Sequence, residues 1–314
     1  MKSAQIKKLR VVSLFSGAGG LDLGFINSGH KVVWANDFDK DSCDTYRKNL
    51  GEHIHHGDIA NLENNDFPDY DVLIGGFPCQ GFSRANIHRV DNDERNNLYL
   101  HVIKILRRTK PRFFLLENVR GIRTLNGGKD FSEIISALEE SGYQVKHQTL
   151  NAADFGVPQN RIRVIITGVR DDLSNECEYI YPTPTHSRDG KKLPKWVSIE
   201  SALMGIGEPD ENTNLLNHIC SKYKITNRDF TGHRRTDPSK PSPTILARGN
   251  GGGGVCAIQH PKNHRRLSVR ESAIIQTFPL EHEFIGALMS MYRQVGNAVP
   301  VLFAEQLSRG FRKK

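Results

Sequence analysis

Cysteine is scarce in this chain and carries no pattern. Cys43, Cys79, Cys177, Cys220 and Cys256 are odd in number, far apart and without a C-x-x-C pair. That argues against a disulfide framework and against a structural zinc site, and no metal is expected. Long apolar runs are lacking as well. No stretch approaches the roughly 18–20 residues of a membrane span. The five residues VVSLF that follow the basic start MKSAQIKKLR are too few for a signal-peptide core. A cytoplasmic protein with no membrane partner is expected. There is no internal repeat, and an acidic excess is absent: 43 Lys and Arg stand against 35 Asp and Glu, a net charge of +8.

The placement of that charge says more than its size. Residues 186–270 hold 15 Lys and Arg against 7 Asp and Glu, a surplus equal to that of the entire chain. An excess confined to one segment suits a surface that meets a polyanion, though a solvated basic face would read the same way.

What is present in the first half is an alternation of short β-branched runs with helical spacing. LRVVSLF (9–15), KVVWAND (31–37), DVLIGGF (71–77) and RFFLLEN (112–118) read as buried strands. Residues 20–29, 39–50, 96–108 and 131–141 read as helices between them. Strands fed by crossover helices predict a mostly parallel sheet covered on both faces. YQVKHQTL (143–150) and RVIITGV (163–169) add two strands. The pattern breaks beyond about 182 and returns as helix at 269–277 and 299–310. GNGGGG (249–254) lies between.

SLFSGAGGLDLG (13–24) sits where the first strand passes into the first helix. Its glycines allow a sharp turn and close approach of a ligand to the helix start. Asp37, twenty residues after Gly17 and at the end of the second strand, can accept from both hydroxyls of a ribose. Asp58 and Ile59 at a third strand end suit the edge and face of an adenine. These features describe an adenosine-type pocket and leave NAD and S-adenosylmethionine both open.

Three further sites fall at neighbouring strand ends. Cys79 in GGFPCQGFS follows the fourth strand, Glu117 ends the fifth, and Arg161 and Arg163 in QNRIR precede the last. In a doubly wound sheet these ends share one crevice. A thiolate adds to an electrophilic ring carbon, a carboxyl group steadies the ring nitrogen that gains electron density, and arginines hold both in place.

The chain resembles the bacterial-type DNA (cytosine-5)-methyltransferases along nearly its whole length. The resemblance is carried, in order, by SLFSGAGGLDLGF, GGFPCQGFS, LLENVRGI, DFGVPQNRIRVI, RRLSVRESAIIQTFP and YRQVGNAVP. Ser13 departs from the Asp that often precedes Leu-Phe in the family. The resemblance implies a Rossmann-like α/β methyltransferase domain with a mostly parallel sheet, plus a small irregular target-recognition domain. The expected division is a catalytic and S-adenosylmethionine-binding domain at 1–185, completed by about 286–314, and a recognition domain at 186–285. It further implies that Cys79 attacks C6 of a cytosine turned out of the duplex, with S-adenosylmethionine as methyl donor and S-adenosylhomocysteine as product. Glu117 would contact N3 and the exocyclic amine, and Arg161 and Arg163 would orient Glu117 and the base. Around the cofactor the implied residues are Phe15, Ala18, Gly19, Gly20, Leu21, Asp37, Phe38, Asp58, Ile59 and Asn297, with Pro78 shaping the turn before the thiol.

The loop after Cys79, with Gln80, Ser83 and Arg84, is expected to close over DNA. The basic segment falls where the family carries its recognition region. His233, Arg234, Arg235 and Arg248 are the expected base readers, because arginine best matches guanine edges. Lys240 and Arg265 are expected on phosphates. Double-stranded DNA is thus the expected partner of a nucleoid-associated monomer, and a cognate restriction endonuclease as cellular companion stays open. Three rivals remain: an RNA cytosine-5 methyltransferase of the same fold, a catalytically silent DNA-binding relative, and a nicotinamide oxidoreductase. The last leaves Cys79, Glu117 and Gln159-x-Arg161-x-Arg163 without a role.

Overall fold

A computed structural model describes residues 4–6, 8–62, 67–77, 98–209, 214–220, 236–247, 257–263 and 265–314. In chain order the strands are β1 (Ala4–Gln5), β2 (Arg10–Leu14), β3 (Lys31–Asp37), β4 (Ile54–His56), β5 (Val72–Gly75) and β6 (Phe113–Val119). They continue with β7 (Tyr143–Asn151), β8 (Gln159–Asn160), β9 (Ile162–Arg170), β10 (Cys177–Tyr179), β11 (Ser242–Pro243) and β12 (Phe311–Lys313). The helices are α1 (Gly20–Asn27), α2 (Lys40–Leu50), α3 (Leu98–Thr109), α4 (Lys129–Glu139), α5 (Ile199–Ala202), α6 (Val269–Ile275), α7 (Leu288–Asn297) and α8 (Val301–Ser308).

Seven strands form the central sheet in the order β4-β3-β2-β5-β6-β9-β7. The pairs from β4 to β6 are parallel, and β9 runs antiparallel to both β6 and β7. Successive residues of β5 show why this sheet is covered twice. Val72 and Ile74 enter one apolar cluster, with Phe25, Tyr46 and Phe303 of the flanking helices. Leu73 enters another, with Ile103, Leu106 and Ile134. A strand buried on both faces has no polar side to alternate, and so reads as an unbroken apolar run.

Chain order reverses at β2, which lies between β3 and β5. The crevice at such a switch point opens beyond the carboxyl ends of the strands. Because β9 is antiparallel, its beginning lies at that same end, with Arg163 opposite Val119. The expected helix at 299–310 is α8. It packs on α1 so closely that a Cβ on Gly24 would stand 2.4 Å from Ala304 Cβ. A third apolar cluster, with Ile245, Ile258, Leu267, Phe278 and Val295, reaches the glycine-rich turn at Ala18. The sequence reading missed α7, a ten-residue helix whose polar residues Gln294 and Ser290 are buried.

Candidate active site

The turn after β2 starts with Phe15 in the left-handed region, φ 54°, and Gly17 and Gly19 follow at φ 55° and 84°. Glycine adopts that conformation at no steric cost. Gly19 leads into α1 as its N-cap, and no side chain caps the first turn. Ala18, Gly20 and Leu21 are buried beneath. Asp37 ends β3 and fixes this turn: Oδ2 accepts the Gly17 N–H at 2.8 Å and Oδ1 accepts that of Asp39 at 2.9 Å. Burial pushes the Asp37 carboxyl up, and those two N–H donors oppose the shift. Each oxygen keeps a further lone pair. Phe38, next in sequence, leaves its ring 77% exposed, which is unusual for a large apolar side chain in a folded chain. Asp58 accepts the Ala60 N–H at 2.9 Å, while Ile59 is buried.

Two residues that sequence reasoning passed over hold these pieces together. Asn36, buried, donates both amide hydrogens, to His55 O at 3.0 Å and Gly57 O at 2.9 Å, and its own backbone carbonyl accepts the Ser16 N–H. It thereby ties the glycine turn to the stretch leading to Asp58. Asp22 lies fully buried in the first turn of α1 and accepts from Ser13 Oγ at 3.0 Å and Tyr46 Oη at 3.0 Å. Burial pushes its pKa up to about 7 against those two hydrogen bonds. The Ser13 departure thus has a structural use as a partner for Asp22.

At the end of β6, Glu117 and Asn118 face the chain that runs toward Cys79. A Cβ on Gly76 would stand 3.3 Å from Glu117 Oε2, and Asn118 Nδ2 donates to Phe77 O at 3.1 Å. Arg163 Nε lies 2.7 Å from Glu117 Oε1, and the two side chains are 9% and 10% exposed. Neither atom makes a directed hydrogen bond, so the contact is an ion pair held by proximity. Arg163 Nη1 donates to Ile162 O at 2.9 Å.

The two arginines of QNRIR therefore part company. Arg161 turns away from the Glu117 oxygens and is fully buried, with Nη1 donating to Ile245 O and Gly296 O, each at 3.2 Å. Burial pushes its pKa down, and Arg163 adds to the shift. Gln159 joins the same junction, accepting the Ile245 N–H at 3.0 Å and donating to Gln276 Oε1 at 2.9 Å. Gln276 in turn donates to Val295 O and Ala298 O at 2.7 and 3.2 Å. The backbone around exposed Asn297 is thus pinned to the strand that carries Arg163.

Pro78, Cys79, Gln80, Ser83, Arg84, His233, Arg234, Arg235 and Arg248 lie outside the described residues. Of the described cysteines, Cys43 and Cys177 are buried and Cys220 is partly so. Burial pushes the Cys43 thiol up to about 12, which leaves it without nucleophilic character near neutrality. Lys240 is exposed and pairs with Asp237 at 2.7 Å. Arg265 sits between the carboxylates of Glu208 and Glu271, and phosphate contact is not the role this placement favours. No group of three or more potential metal ligands occurs among the described residues. No helix among them is long and apolar enough to cross a membrane.

The profile of the family described as C-5 cytosine-specific DNA methylase matches residues 9–312. The chain is 38% identical to the type II methyltransferase M.NgoFVII of Neisseria gonorrhoeae, over 93% of this chain and 83% of that protein. It is 36% identical to M.BspRI of Lysinibacillus sphaericus, also a type II methyltransferase, over 96% and 81%. Among solved structures, the S. pombe Dnmt2 methyltransferase superposes with a TM-score of 0.70 at 21% identity, covering 96% of this chain and 97% of that one. That last likeness speaks for the fold.

Proposed function

The chain belongs to the C-5 cytosine-specific DNA methylase family and is a DNA (cytosine-5)-methyltransferase, and on that footing we propose a mechanism and a setting for it. It methylates C5 of a cytosine within a short duplex site, through a covalent bond between Cys79 and C6 of a base drawn out of the helix. The observation that supports this most is the buried Glu117–Arg163 pair, which abuts Gly76 three residues before Cys79.

The residues of the turn fit S-adenosylmethionine. Asp37 offers a free lone pair on each oxygen for the ribose hydroxyls, and the exposed ring of Phe38 offers a face for adenine. Phe15 and Ile59 supply further apolar surface, Asp58 an acceptor for the adenine amine, and Asn297 a polar end. Ala18, Gly19, Gly20 and Leu21 shape the turn, and Pro78 sets the chain before the thiol. When bound, the cofactor supplies an electrophilic methyl group.

The chain's own groups do the rest. Addition of the Cys79 thiolate at C6 pushes electron density to C5, where the new carbon–carbon bond forms. Glu117, held by Arg163, stabilises the density that reaches N3 and fixes the exocyclic amine. Loss of the C5 proton then restores the double bond and expels the thiolate. Arg161 acts from a distance, by fastening the strand of Arg163 to the Gly296–Asn297 turn. Extrusion of the base is needed because a ring carbon inside a stacked duplex is beyond reach of a side chain.

Gln80, Ser83 and Arg84 are read as contacts to the opened duplex, His233, Arg234, Arg235 and Arg248 as base readers, and Lys240 as a phosphate contact. The domain division at 185/186 and about 285/286 belongs to the same reading. The relatives' names point to a modification enzyme paired with a restriction endonuclease, acting as a monomer in the cytoplasm. Incubation with labelled S-adenosylmethionine and unmethylated genomic DNA, followed by bisulfite sequencing, tests this. Label in DNA at one short motif, lost in Cys79→Ser, is expected. Label that enters RNA alone would move the enzyme to the other substrate class.

A further inference from the structure

All five N–H groups of Arg265 are committed within the protein. Nε donates to Glu208 Oε2 at 2.7 Å, and Nη2 donates to Glu208 Oε1 at 3.1 Å and Glu271 Oε1 at 2.7 Å. Nη1 donates to Glu271 Oε2 at 2.8 Å and Arg266 O at 3.1 Å. A guanidinium has five donors, so none remains for a phosphate. Burial alone would lower its pKa, but the two carboxylates more than reverse that and hold the guanidinium charged.

Glu271 is itself buried and built into α6: Oε2 accepts the Ser268 N–H at 2.7 Å, while Ser268 Oγ accepts the Glu271 N–H, closing a capping box. Glu208 lies 57 residues before Arg265. The same base is crossed by His218, whose ring nitrogens meet Gly207 O and Ser268 Oγ at 2.9 Å each. Thr236 Oγ1 adds a bond to Gln259 O at 2.9 Å. In sequence, the stretch closed by this clasp is the one that carries the expected base readers.

We propose that Arg265, gripped by Glu208 and Glu271, is a positioning residue for site selection: it fastens both ends of the recognition stretch to α6 and does not itself touch DNA. The proposal rests on the functional reading above. Its physical basis is loop closure. A stretch whose ends are already joined has less freedom to lose when it orders on a duplex.

The test uses two duplexes: one carrying the motif mapped by bisulfite sequencing with the wild-type enzyme, and one with that motif scrambled. If the wild type methylates no DNA, the functional reading has failed before any variant is made. Given a motif, fluorescence anisotropy at several salt concentrations compares wild type, Arg265→Met, Glu208→Gln and the double variant. Each single variant is expected to weaken motif binding about tenfold, with the double variant no worse than the weaker single, as for residues in one network. Binding to the scrambled duplex and the slope of log K against log salt should not change, since no phosphate contact is lost. A slope smaller by about 0.9 in Arg265→Met alone would mark a direct phosphate contact and overturn the proposal. Wild-type motif binding in Glu208→Gln would overturn it equally. That variant, whose parent side chain is 40% exposed, decides the matter if Arg265→Met does not fold.

Discussion

Asp22 makes the stability of this fold depend on pH in a direction opposite to that of a salt-bridged carboxylate. Its carboxyl is fully buried and takes hydrogen bonds from the neutral hydroxyls of Ser13 and Tyr46. Burial raises its pKa from an ordinary 3.8 to about 7. Between those values the unfolded chain has released the proton and the folded chain keeps it. The folded state then binds one proton more, so stability falls as pH rises from about 4 to about 7 and is level above. At about 1.4 kcal/mol for each tenfold change in proton affinity, the full span is about 4 kcal/mol. Asp22→Asn keeps the shape and one carbonyl acceptor but has nothing to titrate. Equilibrium urea denaturation of both proteins at pH 5 and pH 8 isolates the effect, because every other carboxylate is common to the pair. The difference in unfolding free energy should move by about 3 kcal/mol in favour of the Asp22→Asn variant from pH 5 to pH 8. A difference that stays constant across that window would refute the reasoning, and would mean that Asp22 ionises in the folded state as freely as in the unfolded one.

Three further outcomes follow from the same geometry. Arg163→Met should cost about 3–5 kcal/mol in urea denaturation, because it leaves the Glu117 carboxylate buried without its counter-charge, and it should abolish methyl transfer. Arg163→Lys should restore part of the stability. Gly24→Ala should cost about 1–3 kcal/mol, since its Cβ would meet Ala304 Cβ, Glu305 N and Val301 O at 2.4, 2.6 and 2.7 Å. Gly57→Ala, with nothing within 4 Å, should stay within about 0.5 kcal/mol by the same measurement. Asp37→Asn should weaken S-adenosylhomocysteine about 10- to 100-fold in calorimetry, the worth of a hydrogen bond to a charged acceptor. Because burial raises the Asp37 pKa, wild-type affinity should fall as pH is lowered while that of the variant stays level.

What could be read in the sequence is what local pattern encodes. KVVWAND is β3 residue for residue because a strand buried on both faces needs an apolar run and its end needs a polar stop. Asp37 and Glu117 were legible as acids at strand ends, where a doubly wound sheet exposes side chains to its crevice. Arg161 and Arg163, two apart in one strand, looked equivalent. They differ because their partners, Ile245 and Gly296 for one and Glu117 for the other, come from distant parts of the chain. Arg265 read as a free cation for the same reason: its partner Glu208 lies 57 residues away. α7 escaped notice because Gln294 and Ser290, polar by composition, are buried by hydrogen bonds to each other and to Ile285 O.

The most direct measurement of the central claim is a trapping experiment with duplex DNA in which 5-fluorocytosine replaces cytosine. Fluorine cannot leave C5 as a proton does, so a Cys79–C6 bond once formed cannot be released after methyl transfer. Incubated with S-adenosylmethionine, the enzyme should become covalently joined to the DNA. Proteolysis and mass spectrometry should place the modified base, carrying one extra methyl group, on the peptide containing Cys79. A protein that methylates ordinary DNA yet forms no such adduct, or forms it on another residue, would contradict the account.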